Sequence, residues 1–153
     1  MKKFKFKLEL VKRLRESEEK KKLDDYAKAM QRRHGQEQKI EKLQRDLAQS
    51  EDDIMARRRS IFSAADLHAD RNATLAIRMQ LETAQKDLEE ALGEEDNHRA
   101  AFLGAKSNRE IIDRLELKQR EAFENDMRKI EEQEIEDVVV PRYSKSEHNS
   151  LFQ

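Results

Sequence analysis

The sequence predicts an all-α fold: two long helices that pair as an antiparallel coiled-coil hairpin. Of the 153 residues, 42% are charged and 36% hydrophobic, which is too little apolar side chain for a compact globular core. The only proline is Pro141, so the 140 residues before it lack the strongest helix breaker. Opposite charges also recur four residues apart with the acid first, as in Glu41–Arg45 and Glu82–Lys86, an orientation that favours helix.

The first arm is predicted over about residues 4–60. Its opening alternates lysines with Phe4, Phe6 and Leu8, a period of two that is typical of a half-buried strand. We expect instead an irregular helix start whose aromatic rings pack on the second arm. A segment that binds a membrane surface or a partner is the alternative. Further along, a seam with coiled-coil spacing runs through Ile40, Leu43, Leu47, Ser50, Ile54, Arg57, Ile61 and Ala64.

The turn is predicted within residues 60–72. Apolar positions lose their phase between Ser60 and Thr74. Inside this interval, Ser63 and Asp66 have the spacing of a capping box, in which the serine caps a helix and the acid reaches back to it. A new helix therefore begins after a break in the first.

The second arm is predicted over about residues 73–140. Val138–Pro141 should close it, because the residue before a proline is disfavoured in helix, and residues 142–153 should form a disordered tail. The second seam runs through Ile77, Leu81, Ala84, Leu88, Ala91, Glu95, His98, Phe102, Ala105, Arg109, Ile112, Glu116, Gln119, Phe123, Asp126 and Ile130. Its polar members predict a long coiled coil with marginal stretches.

The charge distribution favours an antiparallel hairpin over a parallel dimer. Residues 1–22 hold ten basic and four acidic groups, whereas residues 131–137 hold five acids and no base. A hairpin brings these opposite charges together, and a parallel dimer stacks like on like. Salt screens this attraction between opposite charges. A parallel dimer that acts as a structural spacer therefore remains an alternative.

No catalytic chemistry is predicted, so the chain is expected not to be an enzyme. There is no cysteine, and the four histidines are too far apart for a helical zinc site. The three glycines form no phosphate-binding loop. We expect no metal and no cofactor. The net charge of −1 argues against nucleic-acid binding, and no apolar run is long enough to span a bilayer.

Besides Phe4 and Phe6 at the start of the chain, two sets of residues are candidates for binding a partner protein. One continuous face at the start of the second arm, spaced at 0, 4, 7 and 11, comprises Ile77, Leu81, Ala84 and Leu88. The alternative is that this face simply packs on Ile54 and Ile61 across the hairpin. The second set, Arg57, Arg58 and Arg59, could bind a phosphate or an acidic partner near the turn; the alternative is a solvated basic patch.

Several short motifs resemble the FliJ family of bacterial flagellar export proteins. The basic and aromatic opening Met1–Glu9, followed by the apolar Val11 and the basic Arg13, is similar to the start of that family. Near the other end, the acidic pair Glu136–Asp137 precedes Arg142, as in the family's charged C-terminal stretch.

The resemblance implies a role in flagellar biogenesis, and hence in motility and chemotaxis. Family members are antiparallel coiled coils similar to the central stalk of rotary ATPases. They bind the hexameric export ATPase and the cytoplasmic part of the export gate, and they handle export chaperones. The expected location is the cytoplasm, peripherally at the membrane of the flagellar base. The stalk protein of a virulence type III secretion system is the alternative within this class.

Overall fold

A computed structural model describes the backbone of residues 3–150 and the side chains of residues 3–139. Its two helices are α1, Glu9–Arg58, and α2, Ala64–Ser150. No strand occurs among the described residues. The all-α, two-helix prediction is confirmed.

The break between the helices is fixed by local hydrogen bonds. Residues 59–63 are non-helical, at the early end of the predicted interval. The capping box forms as predicted: the Asp66 amide donates to Ser63 Oγ at 3.2 Å, and the Ser63 amide donates to Asp66 Oδ2 at 2.9 Å. The hydroxyl of Ser63 also donates to Asp66 at 2.7 Å and lowers the pKa of that carboxyl. These bonds satisfy amides that a helix start leaves unpaired.

The second helix is longer than predicted at both ends. It begins at Ala64 rather than near residue 73, and its first turn and a half, residues 64–69, is entirely exposed. An exposed stretch of helix needs no apolar stripe. This explains why the apolar positions of the sequence lose their regular spacing there. At the other end α2 continues through Pro141 to Ser150, so the predicted helix end is wrong. A proline removes one backbone hydrogen bond, but the bonds on either side can still form.

The predicted disordered tail also differs from the structure. The backbone of residues 142–150 is helical. Residues 151–153 lie outside the described part of the chain.

The chain divides into two compact units, which are described separately. The turn unit comprises Ser17–Lys106, and the terminal unit comprises Met1–Glu16 with Ser107–Gln153. In the turn unit, Tyr26 stacks on Phe102, with 6.2 Å between ring centroids, and Arg57 pairs with Asp70. Positions that advance along α1 thus meet positions that retreat along α2. This order is that of an antiparallel hairpin.

The core of the turn unit is narrow and made mostly of small side chains. Its buried apolar residues are Ala29, Ile54, Ala84 and Ala91. Alanines at these positions let two helix backbones approach closely, in the manner of small residues at a helix crossing.

Candidate partner-binding surfaces

Three polar members of the second seam, Glu95, Arg109 and Glu116, are paired with opposite charges. In the turn unit, Arg33 binds Glu95, and the neighbouring Arg32 binds Glu94 at 2.7 Å. Glu95 keeps only 15% of its side-chain surface exposed. Burying most of a carboxylate is costly unless a cation pairs with it. The ion pair with Arg33 therefore explains why an acid can occupy this seam position.

In the terminal unit, an acidic seam residue is likewise paired with basic side chains. Lys12 Nζ donates to Glu116 Oε2 at 2.6 Å, and Arg120 donates to the other oxygen of Glu116 at 3.0 Å. The bond from Lys12 lowers the pKa of Glu116 below its ordinary 4.5 and raises the pKa of Lys12 above 10.5. On α2 itself, Arg109 pairs with Asp113 at 2.5 Å.

Near the start of the described chain, Phe4 packs on the second helix through its aromatic ring. The rings of Phe4 and Phe123 lie 5.7 Å apart, and the Arg120 guanidinium lies 5.4 Å from the centre of the Phe4 ring. Phe6 is half-buried, whereas Lys3 and Lys5 are exposed. The predicted packing of Phe4 on the second arm is confirmed. The backbone there is not helical, however, because α1 begins only at Glu9, and the period of two reflects one packed side of an irregular segment.

The predicted face at the start of α2 lies on the seam. Ala84 is fully buried, and Ile77, Leu81 and Leu88 are half-buried. Of the two residues expected opposite them in the packing alternative, Ile54 is buried and Ile61 is entirely exposed. The structure thus brings the four residues together on one side of α2, and part of three of them reaches solvent. Their use by a partner stays a prediction.

The three consecutive arginines are engaged in different ways. Arg57 binds Asp70 at 2.5 Å, and the Arg58 guanidinium lies 5.9 Å from the centre of the Phe62 ring. Arg59 is exposed, and its amide donates to the Ala56 carbonyl within the last turn of α1. All three side chains are exposed, and their binding of a phosphate or an acidic partner stays a prediction.

A groove beside the turn was not predicted. It has a volume of about 400 Å³. Its walls combine apolar and cationic side chains, and it is lined by Ile54, Arg58, Leu67, Asp70, Arg71, Thr74, Leu75 and Arg78. Leu67 and Leu75 are about half exposed. A sequence pattern could have indicated the groove: Leu67 and Leu75 are eight residues apart and so share one side of α2, with Arg71 midway between them. We call this the turn groove.

A second unpredicted surface lies near the end of the described side chains. All residues from 131 to 139 are exposed. Ile135, Val138 and Val139 form an apolar strip on one side of α2, beside Glu131 and Glu134. We call residues 131–139 the acidic segment.

Metal and membrane sites are not found in the described part of the chain. No cluster of three or more His, Cys, Asp or Glu side chains there could hold a metal ion. Neither helix, over its described residues, has a stretch long and apolar enough to cross a membrane.

Comparison with known protein families gives a match that covers nearly the whole chain. Residues 4–148 match the family model described as flagellar FliJ protein. The chain belongs to the FliJ family. No curated protein and no solved structure matches it. The family identified from the sequence motifs is therefore confirmed, and with it a connection to flagellar protein export.

Proposed function

We propose that this FliJ-family chain is a non-enzymatic accessory of flagellar protein export. In this role it is a stalk-like coiled coil that links the hexameric export ATPase to the export gate and handles export chaperones, at the cytoplasmic face of the membrane. The observation that carries the proposal is the family match over residues 4–148. The fold supports it, because the exposed faces of α1 and α2 are available for protein contacts.

The alternatives have less support. The match is to a flagellar family, which favours flagellar export over a virulence secretion system. A parallel dimeric spacer is disfavoured, because within the turn unit the contacts Tyr26–Phe102 and Arg57–Asp70 pair advancing positions of α1 with retreating positions of α2.

Genetic deletion tests the proposed role directly. In the bacterium that encodes this chain, removing it should abolish flagellar filaments and swimming, and a plasmid-borne copy should restore both. Secretion of filament subunits into the medium is the quantitative readout. Normal secretion and swimming in the deletion strain would show that the chain has no part in flagellar export.

The export-gate contact is assigned to the face formed by Ile77, Leu81, Ala84 and Leu88. Leu81→Asp places a charge on the half-buried, partly accessible centre of that face. It should weaken binding to the purified cytoplasmic domain of the gate at least tenfold, while the thermal melt followed by circular dichroism shifts by no more than about 0.5 kcal/mol, as for other surface changes.

A matched control keeps binding and folding apart. Leu117→Asp makes the same change at an exposed leucine of α2 outside that face and should leave gate binding unchanged. If Leu81→Asp instead loses helicity or melts several degrees earlier, the face belongs to the hairpin core. The gate must then bind elsewhere.

A further inference from the structure

The turn groove is more basic than the chain as a whole. The chain has a net charge of −1, yet three arginines line this groove. Asp70 is neutralised by Arg57, and Arg78 reaches Glu51 at 3.3 Å. Arg58 and Arg71 have no carboxylate partner among the described residues. The groove therefore presents two uncompensated cations beside exposed leucines.

The acidic segment has the complementary composition. Its nine residues include Glu131, Glu132, Glu134, Glu136 and Asp137 and no base. The exposed Ile135, Val138 and Val139 share one side of the helix with Glu131 and Glu134. A helix that carries apolar and acidic groups on the same side fits a groove that carries apolar and basic groups.

No described side chain of the same chain covers either surface. Leu67 and Leu75 of the groove are 46% and 55% exposed, and Ile135 and Val138 of the segment are 62% and 56% exposed. Exposed apolar strips of this kind mark interaction sites when polar residues border them. Here the two strips occur in one sequence and have opposite charge.

We propose that the turn groove of one copy binds the acidic segment of a second copy, so that the chain associates head to tail. In this contact the acidic helix lies against α1 and α2 as a third helix. Leu67 and Leu75 pack on Ile135 and Val138, and the carboxylates of Glu131 and Glu134 meet Arg58 and Arg71. The resulting dimer keeps one free groove and one free segment, so a further copy can add at either.

The contact is small and depends on charge, so it forms at high protein concentration and low salt. Salt at 1 M shortens the screening length to about 3 Å and should dissociate it. Dilute protein stays monomeric. Sedimentation velocity on the full chain, over a hundredfold range of concentration at low and high salt, measures this directly.

Two double variants, one altered in the turn groove and one in the acidic segment, distinguish this contact from groove-to-groove and segment-to-segment contacts. Arg58→Glu/Arg71→Glu damages the groove and leaves the segment intact. Ile135→Asp/Val138→Asp damages the segment and leaves the groove intact. Each variant alone should remain monomeric. A mixture of the two should form a one-to-one dimer and nothing larger, because only one intact groove and one intact segment meet.

The controls carry the same chemical changes elsewhere on α2. Arg99→Glu/Arg114→Glu and Leu103→Asp/Ile111→Asp alter exposed residues outside both surfaces and should associate like the wild type. Circular dichroism checks that every variant is helical. A wild-type chain that stays monomeric at all concentrations overturns the proposal. A variant that still dimerises on its own also overturns it, because that contact would be groove to groove or segment to segment. A mixture of the two variants that remains monomeric overturns it as well.

Discussion

The turn unit and the terminal unit differ in how deeply side chains are buried where the two helices pair. Every described side chain that is buried, namely Ala29, Ile54, Asp70, Ala84 and Ala91, belongs to the turn unit. The described part of the terminal unit has only half-buried contacts, such as Phe4 on Phe123 and Lys12 on Glu116. Both units have an aromatic pair and charge pairs between the helices, but only the turn unit adds packing of buried side chains.

This difference has consequences for stability. Buried apolar contacts resist salt and acid, whereas a half-exposed ion pair contributes little and weakens when either partner is neutralised. Regions with few buried contacts open at lower free energy than the rest of a fold. The terminal unit should therefore open first, although the helices themselves are continuous in sequence through both units.

The largest effect is expected at the buried isoleucine of the turn unit. Ile54 is 8% exposed, and Ile54→Ala should cost about 2 kcal/mol, at the low end of such substitutions because the groove beside it lets the site relax. Urea unfolding followed by circular dichroism measures the loss.

The control is an exposed isoleucine in the non-helical turn between the helices. Ile61 is 103% exposed, so Ile61→Ala should change stability by less than about 0.5 kcal/mol. Equal losses in the two variants would mean that the packing around Ile54 does not stabilise the turn unit.

A smaller effect is expected at the helix cap. Ser63→Ala removes the oxygen that accepts the Asp66 amide and should cost about 1 kcal/mol. Ser107→Ala makes the same change at an exposed helical position of the terminal unit and should be neutral or slightly stabilising, since alanine is the better helix former. A Ser63→Ala chain as stable as the wild type would show that the turn does not need its cap.

The smallest effect is the pH response of the terminal unit. The lowered pKa of Glu116 means that the folded state holds fewer protons there than the unfolded state. Its contribution is complete above the ordinary pKa of 4.5 and is lost as pH falls through the lower, folded value. Glu116→Gln should therefore show a smaller drop in melting temperature between pH 7 and pH 3 than the wild type.

The control for this comparison is an exposed glutamate of the same helix. Glu121→Gln should keep the full wild-type pH response. If Glu116→Gln and Glu121→Gln respond alike, the bond between Lys12 and Glu116 does not stabilise the terminal unit.

Local features of this fold could be predicted from the sequence, and pairings between the arms could not. The Ser63–Asp66 cap depends on residues three apart, so its spacing identifies it. The seam positions of Ile54, Ala84 and Ala91 follow from periodicity. The partner of Glu95 does not, because many arginines and lysines of the first arm are equivalent candidates until the register is known.

The same limit explains what was missed at the candidate surfaces. The turn groove depends on Ile54 of α1 and Leu67 of α2 meeting across the turn, which no local pattern specifies. Pro141 is a strong helix breaker on average, yet α2 continues past it. Whether the face around Leu81 binds a partner depends on how much of it the first arm leaves open.

The antiparallel pairing of α1 and α2 underlies both proposals, and a cross-linking experiment tests it most directly. The chain has no cysteine, so introduced thiols react without background. Tyr26 and Phe102 stack with 6.2 Å between their ring centroids. A short bis-maleimide should join Tyr26→Cys/Phe102→Cys within one chain, giving a cross-linked product of monomer mass, and should leave Tyr26→Cys/Leu75→Cys unjoined. A parallel dimer would instead place Tyr26 beside Tyr26, so cross-linking of the single Tyr26→Cys variant to twice the monomer mass would contradict the hairpin.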